Sequence, residues 1–395
     1  MFEKVLIANR GEIAVRVIQA CRELGVETVA VHSSVDANAL FVELADTAVP
    51  IGGAAPNESY LVQERIIQAA QDQGAEAIHP GYGFLSENAS FARAVTDAGL
   101  VFVGPTGESM EALGDKVAAR ETAQRVGVPV SPGSDGPIGD EKMARKVAEE
   151  IGYPVLFKAA AGGGGMGMRL VESEDELGPA FKEASQQAES AFGDGRLFIE
   201  KFHTHPRHIE IQLLGKEDGA IHLGERECSI QRRYQKLLEE APSPAVDAEL
   251  REEIGQAAVT MAEAVDYRNA GTAEFLLTES GFYFNELNAR LQVEHPVTEL
   301  VTGVDLVKSQ LKIAAGEDPG VEQADIQLRG HAIECRINAE DPLKNFAPNP
   351  GKLTAYQEPK GPFIRVDSGI RAGGAVRGEY DSLVAKLIVW GRDRD

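Results

Sequence analysis

Apolar residues recur along this chain in two different rhythms, and the rhythm changes near residue 116. Over the first hundred residues, short continuous apolar runs alternate with stretches of helical period. Residues 5–8 read as a strand, 13–24 as a helix closed by Gly25, and 26–32 as a second strand. Residues 60–73 predict another helix stopped at Gly74, followed by short strands at 75–78 and 100–103. Such alternation implies a parallel sheet with helices on both faces. Ligands of such sheets bind at the carboxyl ends of strands, here the loops 9–12 and 79–84.

From Lys116 a helix to Val126 leads into the loop 127–134, which reads as a subdomain boundary. A helix at 140–151 precedes strands at 153–160, 168–171, 197–202, 209–214 and 221–224. A helix at 248–265 leads to two strands around Gly281, then a helix at 305–315, and the chain is strand-rich from Gly330 to Asp395. There is no internal repeat and no low-complexity segment.

Composition narrows the function classes. With 395 residues, two or three domains are expected. The formal net charge of -23 disfavours nonspecific binding to nucleic acid or anionic membranes, so an anionic ligand must be met by local cations. Cys21, Cys228 and Cys335 are far apart without a CxxC pair, which predicts a reducing compartment and no zinc ribbon. The start of the chain lacks a leader pattern, and no apolar run approaches the roughly 18 residues of a membrane span, so a cytoplasmic location is expected.

The single glycine in the loop after the first strand falls short of the three in a dinucleotide fingerprint. Residues 162–167, by contrast, read Gly-Gly-Gly-Gly-Met-Gly between two strands. Successive backbone N–H groups there can wrap phosphate oxygens, and Lys158 supplies a cation. No Lys-Ser/Thr pair or helix follows, so a flap over a nucleotide is favoured over a Walker loop or a loose hairpin connection.

Residues 272–295 carry most of the chemistry. A hairpin centred on Ser280 puts Glu274 opposite Glu286, with Asn288 further along the same face. Facing carboxylates repel unless a cation lies between them, and an oxygen-lined site completed by phosphate and water suits magnesium. Continued alternation predicts a strand edge presenting Glu286, Asn288, Arg290, Gln292 and Glu294. Arg290 and Gln292 would clamp an anion while Glu294 takes its proton; an ordinary half-buried edge strand is the alternative. Arg232, Arg233 and Lys236 make either an anion site or a surface patch paired to Glu239 and Glu240. His203, His205 and His208 lie around a turn at Pro206 with no nearby Cys and do not suggest zinc.

The segments 8–14, 79–88, 162–167, 231–240 and 284–295 together resemble the biotin carboxylase component of biotin-dependent carboxylases, a branch of the ATP-grasp fold. The resemblance implies an α/β protein with a Rossmann-like N-terminal domain over 1–113. An α+β ATP-grasp domain would follow over 114–317, its glycine-rich lid at about 131–203, and a strand-rich C-terminal domain over 330–395. The family reaction joins bicarbonate to the terminal phosphate of ATP, giving carboxyphosphate. This yields carbon dioxide and a phosphate that removes the ureido N1 proton of biotin, and the enolate attacks carbon dioxide.

The resemblance implies Lys116 and Lys158 on ATP phosphates, with Gly162, Gly163, Gly164, Gly165 and Gly167 as lid. Glu200, Lys201 and His208 would lie around adenosine, and Gln231 and His295 in the nucleotide region. Glu274, Glu286 and Asn288 would hold Mg2+ or Mn2+. Lys236, Arg290, Gln292, Val293 and Glu294 would hold bicarbonate, with Glu294 its base. Arg336 would stabilise the biotin enolate and Tyr82 would touch biotin.

Three departures from the family pattern stand out: Met166 in place of a frequent Arg or Lys, Tyr234 in place of a frequent His, and an end at Asp395 where the family continues. No Met-Lys-Met attachment site occurs, so biotin is expected on a separate carrier protein or domain. The resemblance further implies a second partner, a carboxyltransferase subunit, with a homodimer as the assembly. The competing readings are another ATP-grasp carboxylate–amine ligase, or a non-catalytic nucleotide-binding regulatory module.

Overall fold

The computed structural model describes residues 1–160 and 168–395. The expected lid residues Gly162, Gly163, Gly164, Gly165 and Gly167, with Met166, lie outside the described residues. The chain divides into two compact units, one of residues 1–122, 208–275 and 286–395, the other of residues 123–207 and 276–285.

The first unit begins with β1 (Lys4–Ile7), α1 (Gly11–Glu23), β2 (Glu27–Ser33), α2 (Leu40–Leu44) and β3 (Thr47–Gly52). It continues with α3 (Gln63–Asp72), β4 (Ala77–His79), α4 (Ala89–Asp97), β5 (Val101–Phe102) and α5 (Gly107–Gly114). The strands form a parallel sheet ordered β3-β2-β1-β4-β5, the architecture that the alternating pattern predicts. The strand β3 was not expected; it is an edge strand interrupted by Pro50, which blurs its apolar pattern.

Strand order reverses between β1 and β4, and the loops after these two strands meet there. The Asn9 amide donates to the carbonyls of Pro80 and Tyr82, each at 2.7 Å. Gly81 has φ +62°, and a Cβ on it would lie 2.9 Å from Asn9 Nδ2, so the loop's close approach needs glycine.

Helix α6 (Lys116–Arg125) follows, and the second unit holds α7 (Glu141–Ile151), β6 (Val155–Ala159), β7 (Arg169–Val171), α8 (Glu174–Phe192) and β8 (Leu197–Lys201). Its three strands pair antiparallel in the order β7-β6-β8. Phe157 meets Phe181 edge-on at 5.6 Å in a core that includes Leu177 and Ile199. Helix α8 escaped the sequence reading. Its buried stripe is Leu177, Ala180, Phe181, Ala184 and Ala188, a helical period carried mostly by alanine and interrupted by Pro179.

The large sheet uses β9 (Arg207–Lys216), β10 (Gly219–Arg232), β11 (Gln235–Ala241), β12 (Asn269–Thr278), β13 (Gly281–Asn288) and β14 (His331–Asn338), with the strands Leu383–Gly391 and Ile364–Ser368 at one edge. Helix α9 (Ala248–Glu263) packs on β10, and α10 (His295–Thr302) and α11 (Leu306–Ala314) follow β13. The short strand expected at 221–224 is instead a 14-residue strand, because its second half carries buried charges that hide the apolar signal.

One expectation is corrected. The strand edge running to Glu294 ends at Asn288, and residues 289–294 form a loop into α10. The Ala289 N–H, which a neighbouring strand would otherwise bind, donates to Glu87 Oε1 at 3.1 Å, and Pro296 opens the helix. Arg290, Gln292 and Glu294 are therefore presented by a loop.

Candidate functional site

The site grows from paired positions on the large sheet. Glu210 on β9 and Arg226 on β10 are register partners and share a face. Arg226 is fully buried, and all three of its guanidinium nitrogens donate: to Glu210, to Gln212 and Thr298, and to Thr272 and Gln292. A buried guanidinium needs this density of acceptors.

Around this anchor the carboxylates converge on Lys236 of β11. Its ammonium donates to Glu210, to Glu274 Oε1 at 3.1 Å and to Glu294 Oε1 at 2.8 Å. The other Glu294 oxygen accepts from Arg336 at 2.8 Å, and Arg336 Nε donates to Glu239 Oε1 at 2.6 Å. Glu274 Oε1 also accepts from the amides of Asn288 at 2.8 Å and Gln292 at 2.9 Å, while Oε2 lies 3.0 Å from His208 Nε2. The structure thus brings Lys236, Glu274, Asn288, Gln292, Glu294, Arg336 and His208 into one network.

Burial and charge pull against each other throughout. Burial alone would lower the proton affinity of Lys236, but Glu210, Glu294 and Glu274 override it and hold the ammonium well above its ordinary value. Burial would raise Glu294, yet Lys236, Arg336 and Arg226 keep it below the usual carboxylate range. For Glu274 burial is outweighed by His208 and Lys236, which hold it far below that range. His208, desolvated but placed between Glu210 and Glu274, rises to about 10 and is a cation. Burial pushes Glu239 up to about 7 against the pull of Arg336.

The remaining expected residues are distributed as follows. Glu286 pairs with Lys116 at 3.0 Å, and Arg290 with Glu87 at 3.0 Å. The Val293 carbonyl accepts from Lys386 at 2.8 Å. His295 Nδ1 lies 2.8 Å from the Gln292 carbonyl, and burial keeps this imidazole neutral. Gln231 donates to the Cys228 carbonyl at 2.9 Å, and the Tyr82 hydroxyl donates to Glu12. In the second unit, Lys158 pairs with Glu200, and Lys201 donates to the carbonyls of Gly152 and Tyr153.

Of the three basic residues near the β10–β11 turn, only Lys236 joins the network. Arg232 pairs with Glu340 and Arg233 donates to Asn345, whereas Glu239 and Glu240 bind Arg336 and His331. The sequence reading missed Glu210, Arg226 and Lys386 as part of this network. For Glu210 and Lys386 the available signal was a charge in an otherwise apolar strand, as Lys386 is within 383–389; Arg226, flanked by Glu225 and Glu227, gave none.

The donors Glu274, Glu286 and Asn288 are all oxygens, the chemistry that a hard divalent cation takes. Each of the two carboxylates faces an ammonium, Glu274 that of Lys236 and Glu286 that of Lys116, so both lie where positive charge is accepted. The residues fit Mg2+ or Mn2+. Two other groups have ligand atoms within 4.8 Å of one another, His208-Glu210-Glu274 and Glu210-Cys228-Glu294. In the first, Glu210 and Glu274 hold His208 toward its protonated form, and in the second burial pushes the Cys228 thiol far up.

Comparison with known proteins accounts for the whole chain. Residues 1–110 match the family model "Biotin carboxylase, N-terminal domain", 115–320 match "Carbamoyl-phosphate synthase L chain, ATP binding domain", and 334–395 match "Biotin carboxylase C-terminal domain". The biotin carboxylase of Nostoc sp. is 57% identical over 395 residues, covering 100% of this chain and 88% of that one. The biotin carboxylase of Pseudomonas aeruginosa is 53% identical over 397 residues, covering 100% and 88%. Among solved structures, the biotin carboxylase domain of a thermophilic 2-oxoglutarate carboxylase bound to bicarbonate aligns with TM-score 0.95 at 50% identity, over 100% of this chain and 87% of that one. Campylobacter jejuni biotin carboxylase aligns with TM-score 0.93 at 47% identity, over 100% and 88%. The chain belongs to the biotin carboxylase family, enzymes that carboxylate carrier-borne biotin with bicarbonate and ATP.

Proposed function

We propose that Glu294 is the base that activates bicarbonate in this enzyme. The observation that carries the reading is that each Glu294 oxygen accepts from a different cation, Lys236 and Arg336, both at 2.8 Å. Bicarbonate is a poor nucleophile, and a carboxylate beside its hydroxyl makes it a better one. Held by two cations, Glu294 has low proton affinity. An entering anion competes for Lys236 and Arg336 and thereby raises the affinity of Glu294 at the moment a base is needed.

Lys236, Arg290, Gln292 and the Val293 segment bind bicarbonate in this reading, and Gln292 is oriented on both sides, by Arg226 and by Glu274. Glu274, Glu286 and Asn288 would hold Mg2+ or Mn2+, which supplies charge neutralisation to the ATP phosphates when bound. Lys116 and Lys158 serve the phosphates with the glycine lid, and Glu200, Lys201, His208, Gln231 and His295 serve the nucleotide. Arg336 faces the biotin enolate; a guanidinium stabilises that charge without giving up its own proton. Tyr82 contacts biotin.

The same reading divides the chain at 1–113, 114–317 and 330–395, with a lid at about 131–203. Its partners are a biotin carboxyl carrier protein or domain and a carboxyltransferase subunit. The assembly is a homodimer and the location the cytoplasm. Among the described residues no helix is long and apolar enough to cross a membrane. Phosphate release from ATP tests the assignment: it should depend on bicarbonate and rise with free biotin. Release that ignores biotin would point to another carboxylate–amine ligase, and no release to a binding module.

A further inference from the structure

Lys386 lies in the middle of the apolar strand Leu383–Gly391 and is fully buried. Its ammonium donates to the Val293 carbonyl at 2.8 Å and lies 3.3 Å from Glu12 Oε1 and 3.7 Å from Asp367 Oδ2. Across the sheet it is the register partner of Arg336 on one side and of Asp367 on the other. Glu12, in the first turn of α1, accepts the Tyr82 hydroxyl on the same oxygen that faces Lys386.

A lysine is buried at high cost unless opposite charges surround it. Here burial lowers its proton affinity, and Glu12, Glu334 and Asp367 more than restore it. The backbone is fitted closely to this arrangement. A Cβ on Gly369, two residues after Asp367, would lie 2.5 Å from the Glu12 backbone nitrogen.

The Val293 carbonyl belongs to the planar peptide that leads into Glu294, so fixing its oxygen fixes the plane from which that side chain departs. A purely apolar neighbour would leave the carbonyl unpaired. We propose that Lys386, together with Glu12, is a positioning hub for the carboxylation reaction, holding the Val293–Glu294 peptide and the Tyr82 hydroxyl in one charged cluster. The proposal deepens the site assignment above and rests on Val293 and Glu294 serving bicarbonate. It adds two residues that touch neither substrate, and it ties the bicarbonate loop to the loop after β4.

The test compares the wild-type chain with Lys386→Met/Glu12→Gln and with Glu12→Gln alone. Phosphate release is measured against bicarbonate and against free biotin, with ADP affinity by fluorescence titration and thermal melting as controls. The double variant removes cation and anion together, so no Glu12 carboxylate is left without its ammonium, and Asp367 keeps the guanidinium of Arg365. The expected result is a rise of about ten-fold or more in its bicarbonate KM, with ADP affinity within about two-fold of wild type. Glu12→Gln retains the Lys386–Val293 bond, so the biotin half-saturation should rise by about three-fold or more while the bicarbonate KM stays near wild type.

An unchanged bicarbonate KM in the double variant overturns the proposal, as does a parallel loss of ADP and bicarbonate affinity, which marks a merely structural role. If the double variant does not fold, an unchanged biotin half-saturation in Glu12→Gln overturns it instead. Wild-type protein without bicarbonate-dependent release would sink the site assignment itself, a result separate from either of these.

Discussion

Replacing Glu294 by Gln keeps the shape of the side chain and removes its charge. In the structure one oxygen accepts from Lys236 and the other from Arg336, each at 2.8 Å, with Glu294 buried. A glutamine offers one acceptor, and its NH2 group faces a cation at the other position. Hydrogen bonds to charged groups contribute about 1.5–3 kcal/mol each, so stability should fall by about that amount for the lost bond. The fold should survive, because Lys236 keeps Glu210 and Glu274, and Arg336 keeps Glu239. Catalysis should suffer more. A positioned general base contributes about 10²–10⁴ in rate, or about 3–5 kcal/mol of barrier. Phosphate release under saturating bicarbonate and biotin should fall by that factor, with ADP affinity within about two-fold of wild type. A folded variant that retains wild-type turnover would refute the reasoning and place the base elsewhere.

Other outcomes follow from the same network. Arg226→Met leaves the fully buried Glu210 short of a cation, so thermal unfolding should show a loss of about 3–5 kcal/mol; an unshifted melting temperature would mean the pair is not coupled to folding. Glu286→Gln should raise the magnesium concentration needed for half-maximal phosphate release by about ten-fold, and an unaltered requirement removes Glu286 from the ligand set. His79 is fully buried, its Nδ1 accepts the Gly81 N–H at 3.0 Å, and burial lowers it to about 4. Below its ordinary value of 6.5 the unfolded chain takes up a proton that the folded chain refuses, so stability is full above 6.5 and declines as pH falls through about 4. The loss approaches about 3 kcal/mol, read by urea unfolding at several pH values. A His79→Gln variant with the same acid-side slope would show that another group carries it.

How much of this was legible in the sequence depended on whether a residue's partner lay near it in the chain. The parallel sheet could be read because its strands carry their own apolar rhythm; among them only β3, broken by Pro50 at the edge, escaped, while the short helices α2, α4 and α5 were too brief to show a helical period. Strand parity across one hairpin put Glu274 opposite Glu286 and Asn288 on the same face; in the structure it is the Asn288 amide that donates to Glu274. Parity misled beyond Asn288, since a strand's alternation continues only while a neighbouring strand binds its backbone, and Glu87, from a loop some two hundred residues earlier, takes the Ala289 N–H. Glu286 shows the same limit from the other side: its observed partner is Lys116, a contact no local pattern encodes. Arg226 was invisible because a charge in a sequence reads as surface, and its five acceptors come from four separate segments of the chain: β9, β12, the loop before α10, and α10 itself.

Burying so many charges together has a physical meaning. A buried ion pair seldom adds stability over well-packed apolar residues, whereas breaking one is costly. A cluster such as Lys236 with Glu210, Glu274 and Glu294 is therefore a poor way to hold a fold and a good way to hold readiness for a charged ligand. An anion entering against Lys236 and Arg336 exchanges one carboxylate partner for another and avoids much of the desolvation cost, which the folded chain has already met. In a chain with a net charge of -23, repulsion of anions is overcome only where such cations are fixed and their partners can be displaced. The neighbouring Lys386 differs on this point, since it is closed off by the Val293 carbonyl, Glu12 and Asp367. The displaceable cations are those assigned to substrate, and the enclosed one is assigned to position.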